Sequence, residues 1–419
     1  MPPALPHIIR SLRHRNYRLF VSGQSISLVG TWVTRLATSW LVYRLTKSAL
    51  LLGLVGFCSQ IPVLFLGPIA GVYVDRWDRQ RVLLWTQVLS LLQSATLGVL
   101  TLSGVVAVWH VLALQLAQGV IGAFETPARQ AFVVRMIDDT ADLPNAIALN
   151  SSMVNGSRIF GPAIGGGLIA AVGEGWCFIL DAVSYVAVIA SLRVMRVARA
   201  DSGNSHEAVW HQLKAGFRYV WAFSPIRTAL LLIAATSTFG IPQSVLMPVM
   251  ASHVLGGGAY TLGLLMASSG VGALGGALYL ASRQTVVGLG RVIGISTVVY
   301  GVSLAAFAWS RSVPLSMALL LASGAAYMTA IAASNTLIQT LLKEDLRGRV
   351  MAFYTMAFLG TMPIGSLLAG VVAERLDAPL TIALGGFACA LAGLWFMRRL
   401  AALRAVVRPI YIERGILTP

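Results

Sequence analysis

Five ionisable side chains stand inside long apolar stretches of this chain: Arg35, Glu125, Arg129, Arg158 and Asp181. An arginine or aspartate at the centre of a membrane-spanning helix costs at least about 2.5–3.5 kcal/mol, so such residues face a cavity or an opposing charge. A carboxyl in that setting can carry a proton, because moving a counter-charge in and out of its reach drives loading and release. Glu125 and Asp181 are therefore the proton-coupling candidates. Arg35, Arg129 and Arg158 are candidate cavity or ion-pair residues, with Arg35 and Arg158 able to pair with either acid. A purely structural ion-pair network is the competing reading, and Arg129 can equally be a boundary residue that anchors phosphates.

Other chemistries find no residues here. The sequence has no Walker lysine motif, zinc-spaced histidine pair or nucleophile elbow, which argues against an ATP-driven pump or an intramembrane hydrolase. Catalytic, cofactor and metal roles are not expected. Cys58, Cys177 and Cys389 each sit within an apolar run at spacings that suit neither a disulfide framework nor a metal cluster. Gly270-Val271-Gly272-Ala273-Leu274-Gly275 matches a dinucleotide fingerprint, but with no strand ahead of it and apolar residues around it, helix packing is the expected use.

The elements that must position those side chains are membrane helices. The chain is 57% hydrophobic and only 11% charged, against about 25% charged in soluble domains, and its mean hydropathy is +0.78. Its 41 glycines suit helices that approach one another closely. A net charge of +16 does not point to nucleic acid, because the basic residues fall in the gaps between apolar runs and are not interleaved with stacking aromatics. Apolar runs long enough to cross about 30 Å of hydrocarbon occupy residues 17–45, 50–74, 82–104, 107–135, 145–172, 176–197, 227–253, 258–282, 286–310, 313–341, 350–374 and 379–400. The basic segment ahead of the first run is not followed by a short cleavable core, so that run is expected to be an uncleaved anchor.

Arginine and lysine orient the twelve spans. Arg10, Arg13, Arg15 and Arg18, then Arg76, Arg79 and Arg81, and later the tail with Arg398, Arg399, Arg404, Arg408 and Arg414 all fall on one side; the opposite loops hold only Arg44, Lys47, Arg311 and Arg375. The positive-inside rule then places both termini in the cytoplasm. Residues 1–197 and 227–419 form two six-span domains, joined by a linker at 198–226. In the linker Trp210, Leu213, Phe217, Val220 and Trp221 recur at helical spacing beside Lys214 and Arg218, which fits an amphipathic surface helix or a plain connector. The two domains echo each other: Leu52-Gly53-Leu54 and Arg81 recur 210 residues later as Leu262-Gly263-Leu264 and Arg291, and Asp142-Leu143 parallels Asp345-Leu346. The fold expected is an all-α membrane protein of twelve transmembrane helices in two pseudo-symmetric six-helix halves.

Between spans 2 and 3, Gly71, Asp75, Arg76, Arg79 and Arg81 follow the order Gly, three residues, acid, base, two residues, further bases. That loop resembles the signature of the major facilitator superfamily. Asp78 departs from the pattern, which has glycine there. The resemblance implies a conformational latch: Gly71 for close packing of span 2, and Asp75 meeting the positive end of span 11. In span 5, Gly161-Pro162 and Gly165-Gly166-Gly167 resemble the antiporter signature of drug exporters, a motif that bends a helix and removes bulk. Pro127 to Ala131, Asn145 to Ser151, Asn16 to Phe20 and Gly348 to Met351 resemble the enterobactin-exporter branch, over about residues 10 to 400. Gln115 stands where many drug antiporters carry an arginine ahead of Gln118-Gly119, so no relay role is carried over to it.

The resemblance thus implies a secondary active transporter of the bacterial inner membrane, a proton-coupled exporter of small amphiphilic solutes of the siderophore or drug class, acting as a monomer without a cofactor. Its partners would be the solute, protons and the lipid bilayer. A lysolipid or lipid mover, an uncoupled facilitator and, outside transport, a membrane-embedded enzyme or sensor are the alternatives.

Overall fold

The computed structural model describes residues 7–137, 139–195, 217–342 and 344–417. The core of the linker, including Trp210, Leu213 and Lys214, lies outside them. Residues 217–222 are helical, with the Phe217 and Trp221 rings stacked 5.7 Å apart and exposed while Val220 is buried.

Twelve helical spans run α1 (Arg15–Thr46), α2 (Ala49–Arg76), α3 (Arg79–Leu102), α4 (Val108–Val133), α5 (Leu143–Val172), α6 (Glu174–Val194), α7 (Ser224–Val254), α8 (Ala259–Ala281), α9 (Leu289–Trp309), α10 (Val313–Leu341), α11 (Leu346–Leu376) and α12 (Ala378–Glu413). Among the described residues, nine are long and apolar enough to cross a membrane. The other three, α1, α4 and α5, carry Arg35, Glu125 with Arg129, and Arg158, so the functional candidates concentrate on the spans whose apolar runs are broken.

Two spans are less regular than their sequences promise. In α7 the α-helix ends at Gly240, and short turns at Pro242–Val245 and Met247–Val249 lead to a π turn at Met250–Val254. Pro242 and Pro248 interrupt the backbone ladder there, since each lacks an N–H and crowds the preceding turn. In α11 a π turn at Met356–Gly360 precedes Pro363. α12, by contrast, continues to Glu413, well beyond the expected limit at 400.

The chain divides into two units: residues 1–47, 58–204 and 256–267 form one, and residues 48–57, 205–255 and 268–419 the other. In the first, α3 packs on α6 and α4, and α1 on α6 and α5; in the second the same pairings recur six spans later, α9 on α12 and α10, and α7 on α12 and α11. This repetition is the pseudo-symmetry of the sequence written in packing. Tight turns enforce it. Gly173 (φ 83°) joins α5 to α6, and Asp377 (φ 91°), whose side chain accepts from the Leu380 N–H at 2.7 Å, joins α11 to α12. A non-glycine at that φ is strained, and the cap it makes on α12 offsets part of the strain.

Candidate functional site

In the first unit, α1 presents Trp32 as a platform for two guanidiniums. Arg35 Cζ lies 4.8 Å from the ring centroid and Arg158 Cζ, on α5, 5.9 Å. α5 reaches Trp32 because Gly161 has no side chain: a Cβ there would collide with Trp32 Cβ. One turn on, a Cβ at Gly165 would sit 3.2 Å from Val33 Cα, and one at Gly166 2.8 Å from the Ala259 carbonyl oxygen of α8. Gly161, Gly165 and Gly166 therefore act as contact glycines beside the buried Pro162, whereas Gly167 faces open space.

The acids are partnered differently from the sequence expectation. Glu125 lies 3.9 Å from Arg129, one helical turn along α4, so its neighbour is local and not Arg35 or Arg158. Asp181, 2% exposed on α6, sits among hydroxyls. Ser94 Oγ of α3 donates to Asp181 Oδ2 at 3.0 Å, and the hydroxyls of Thr34 and Ser184 face the same carboxyl. No arginine of the described residues forms a salt bridge with Asp181; Arg35 and Arg158 are turned toward Trp32 instead, because cation–π stacking on an indole satisfies a guanidinium without burying it against an acid. The carboxyl also fills the space that Gly30 leaves on α1, where a Cβ would lie 2.5 Å from Asp181 Oδ1.

A polar seam continues from Asp181 through the unit. The Tyr185 hydroxyl faces Thr31 and Ser90, and Gln118 of α4 donates to Ser90 Oγ at 3.4 Å. Thr34 Oγ1, Thr38 Oγ1, Gln87 Oε1, Gln93 Nε2, Gln118 Oε1 and Asp181 Oδ1 are buried without a well-formed hydrogen bond. These six atoms lie on four helices of the unit, α1, α3, α4 and α6, and because an unsatisfied buried polar group is costly they set the seam apart from ordinary apolar core. The sequence reading passed over this seam, although serine, threonine and glutamine at helical spacing along α1 and α3 were its signal.

The signature loop takes shape around Asp78. Its carboxylate caps α3, accepting from the Gln80 and Arg81 N–H groups at 3.0 and 3.3 Å, and its φ is −64°, so no glycine is needed there. Arg81 lies 3.7 Å from the same carboxylate, and Gln80 Nε2 donates to the Leu192 carbonyl of α6 at 2.6 Å. Arg76 is exposed and Arg79 half-buried. One expectation fails: a Cβ at Gly71 would meet no atom within 4 Å, so packing does not require glycine in this conformation. The Asp75 side chain is outside the described ones.

A second missed feature is Asp142, fully buried just before α5. It takes Arg10, Arg13 (Nε to Oδ2, 2.6 Å) and His14 (Nε2 to Oδ2, 2.9 Å), while the Ser11 N–H donates to Asn145 Oδ1 at 2.9 Å and the Tyr17 hydroxyl to the Ala146 carbonyl at 2.6 Å. Burial pushes the Asp142 carboxyl up, but hydrogen bonds from His14 and Arg10 and the charges of Arg10 and Arg13 outweigh it and hold it below the ordinary value. The segment His7–Arg13 is thereby fixed to the start of α5. Its signal was the paired Asp-Leu ahead of spans 5 and 11.

Twelve spans in repeated six-helix halves, with four of the five ionisable candidates on the broken spans α1, α4 and α5 and the fifth, Asp181, buried on α6, define a major facilitator transporter. The chain belongs to the transmembrane secretion effector family of that superfamily, whose model matches residues 9–407. It is 26% identical to the staphyloferrin A transporter of Staphylococcus aureus, over 92% of this chain and 97% of the relative. It is 29% identical to the multidrug efflux pump Tap of Mycolicibacterium fortuitum, over 82% and 86%. Among solved structures it is similar to an inward-facing bacterial homologue of the iron transporter ferroportin, with a TM-score of 0.70 at 17% identity over 92% of this chain and 98% of that one; at that identity the likeness speaks for the fold. The protein is thus a multi-pass membrane transporter and not an enzyme.

Proposed function

We propose that this transporter exports small amphiphilic organic solutes of the siderophore or drug class across the bacterial inner membrane in exchange for protons. The observation that carries the coupling is the setting of Asp181: a buried carboxyl with hydroxyl neighbours, no basic partner, and one oxygen without a well-formed bond. The donors in that shell are hydroxyls and not cations, so no permanent counter-charge fixes the carboxyl as an anion and it is free to take up and release a proton. Glu125, paired weakly to Arg129 on α4, is the second station. Trp32, with a guanidinium from α1 and another from α5, offers an aromatic and cationic surface suited to an anionic or ring-bearing solute. The names of the relatives, a siderophore transporter and drug efflux pumps, support the same classes.

The test is transport by reconstituted protein of a panel of labelled siderophores, antibiotics and lysolipids, with and without an imposed pH gradient. Gradient-dependent movement of a siderophore or drug is the expected result. Movement of lysolipid alone, or transport indifferent to the gradient, overturns the assignment.

A further inference from the structure

Within the second unit, a cavity of about 640 Å³ opens between the start of α9 and the distal part of α12. Arg291 reaches it from the first turn of α9, and Arg404 and Arg408, four residues apart and so on one face of α12, reach it from the other side. All three are exposed, and none of their guanidiniums makes a salt bridge or hydrogen bond with a described residue. Three guanidiniums converging on one cavity without a carboxylate repel one another, and an anion between them relieves that repulsion. The positive end of α9, which starts after Gly288 (φ 83°), adds to the field.

The rest of the wall selects the kind of anion. Val407 and Leu417 line the cavity with the buried Tyr411, so the charged rim sits over an apolar surface. The position is that of a headgroup: α12 has 36 residues, about 54 Å of helix against about 30 Å of hydrocarbon, so its distal turns stand at and beyond the polar boundary. A free phosphate would satisfy the guanidiniums and leave the apolar wall wet, whereas a phospholipid satisfies both.

We propose that this cavity seats the phosphate headgroup of an anionic phospholipid, clamped between Arg291, Arg404 and Arg408. The bound lipid ties the distal part of α12 to the start of α9. The proposal is independent of the solute and of proton coupling.

Full-length protein in neutral detergent, titrated with phosphatidylglycerol, phosphatidylcholine or inorganic phosphate and followed by native mass spectrometry and thermal unfolding, tests it. Phosphatidylglycerol is expected to bind and raise the unfolding midpoint, phosphatidylcholine and millimolar phosphate to do neither. Each surface arginine is worth about 1 kcal/mol toward anionic lipid, so replacing all three by glutamine should weaken phosphatidylglycerol binding about a hundredfold. Arg404→Glu alone gives a second reading should the triple variant not fold, with at least about a tenfold loss expected. Phosphatidylglycerol binding unchanged in Arg404→Glu or in the triple variant overturns the proposal. So does inorganic phosphate reproducing the effect.

Discussion

Gly263 of α8 lies directly against Gly166 of α5: a Cβ on Gly263 would fall 3.0 Å from Gly166 Cα and 2.5 Å from the Pro162 carbonyl oxygen. The same relationship recurs in the second unit, where a Cβ on Gly53 of α2 would fall 2.8 Å from Gly370 Cα of α11. The Leu-Gly-Leu repeat in spans 2 and 8 is therefore a repeat of two backbone-to-backbone crossings.

These crossings admit no side chain, because the obstructing atoms are backbone and cannot swing aside. Overpacking costs about 1–3 kcal/mol, so Gly166→Val and Gly263→Val should each lower the unfolding midpoint and slow transport by about an order of magnitude. Gly167→Ala and Gly71→Ala, which point into open space, should leave the midpoint unchanged. Thermal unfolding of the four variants in detergent, with transport in proteoliposomes, checks the contrast; equal behaviour of Gly166→Val and Gly167→Ala would remove the crossing from the account.

How far the sequence carried the fold follows from the same residues. Span count and internal repeat were legible because hydropathy and small-residue spacing are one-dimensional signals. The breaks in α7 and α11 were not, since a proline inside an apolar run can be absorbed or can open the ladder, and only the surrounding helices decide. At the site, the acids were legible and their partners were not. Arg35 and Arg158 look like counter-ions to Asp181 on paper, yet Trp32, lying between them, competes for both guanidiniums. Asp142 was hidden for a related reason: its partners lie more than 125 residues away in the chain.

Asp142 makes the second prediction. Its carboxyl is held below the ordinary value of 3.8 by His14, Arg10 and Arg13, so its contribution to stability is fully present above about pH 4 and is lost as pH falls through the lower folded value. Asp142→Asn should lower the unfolding midpoint at pH 7 by several degrees, and the gap from the parent should close as the pH is taken below 3. A gap that stays constant down to that pH would show that shape, not charge, is what the position supplies.

The latch is the third. If Asp75 engages the positive end of α11 during the cycle, Asp75→Asn keeps the shape and removes the charge. The variant should insert and fold normally yet lose most of its transport, about tenfold for an interaction of about 1.4 kcal/mol. Normal turnover in proteoliposomes would dismiss the latch.

Topology is the fourth. Single cysteines near Ser202 or at the C-terminus of a cysteine-free parent should react with impermeant maleimide only from the cytoplasm, and one at Ser48 only from outside. Labelling in the reverse sense would invert the arginine argument and with it the direction of transport.

The last prediction separates the two acids. A proton carrier must exchange its proton with both sides of the membrane, and it must do so without a permanent counter-charge that would fix it as an anion. Glu125 has Arg129 one turn away, whereas the hydrogen-bonding neighbours of Asp181 are hydroxyls, so the geometry favours Asp181 of the two. The seam through Tyr185, Ser90 and Gln118 supplies a path of exchangeable groups from α6 to α4. Asp181→Asn should abolish gradient-driven export while sparing substrate exchange at equilibrium, because binding and the conformational step remain and the coupled charge is gone. Glu125→Gln should weaken export by a smaller factor and shift its pH profile. Ser94→Ala, which removes one donor to the Asp181 carboxylate, should move the pH dependence of export without abolishing it, a change that a purely structural role for Ser94 would not produce. Full gradient-driven export in both Asp181→Asn and Glu125→Gln would exclude coupling through either carboxyl and leave an uncoupled facilitator.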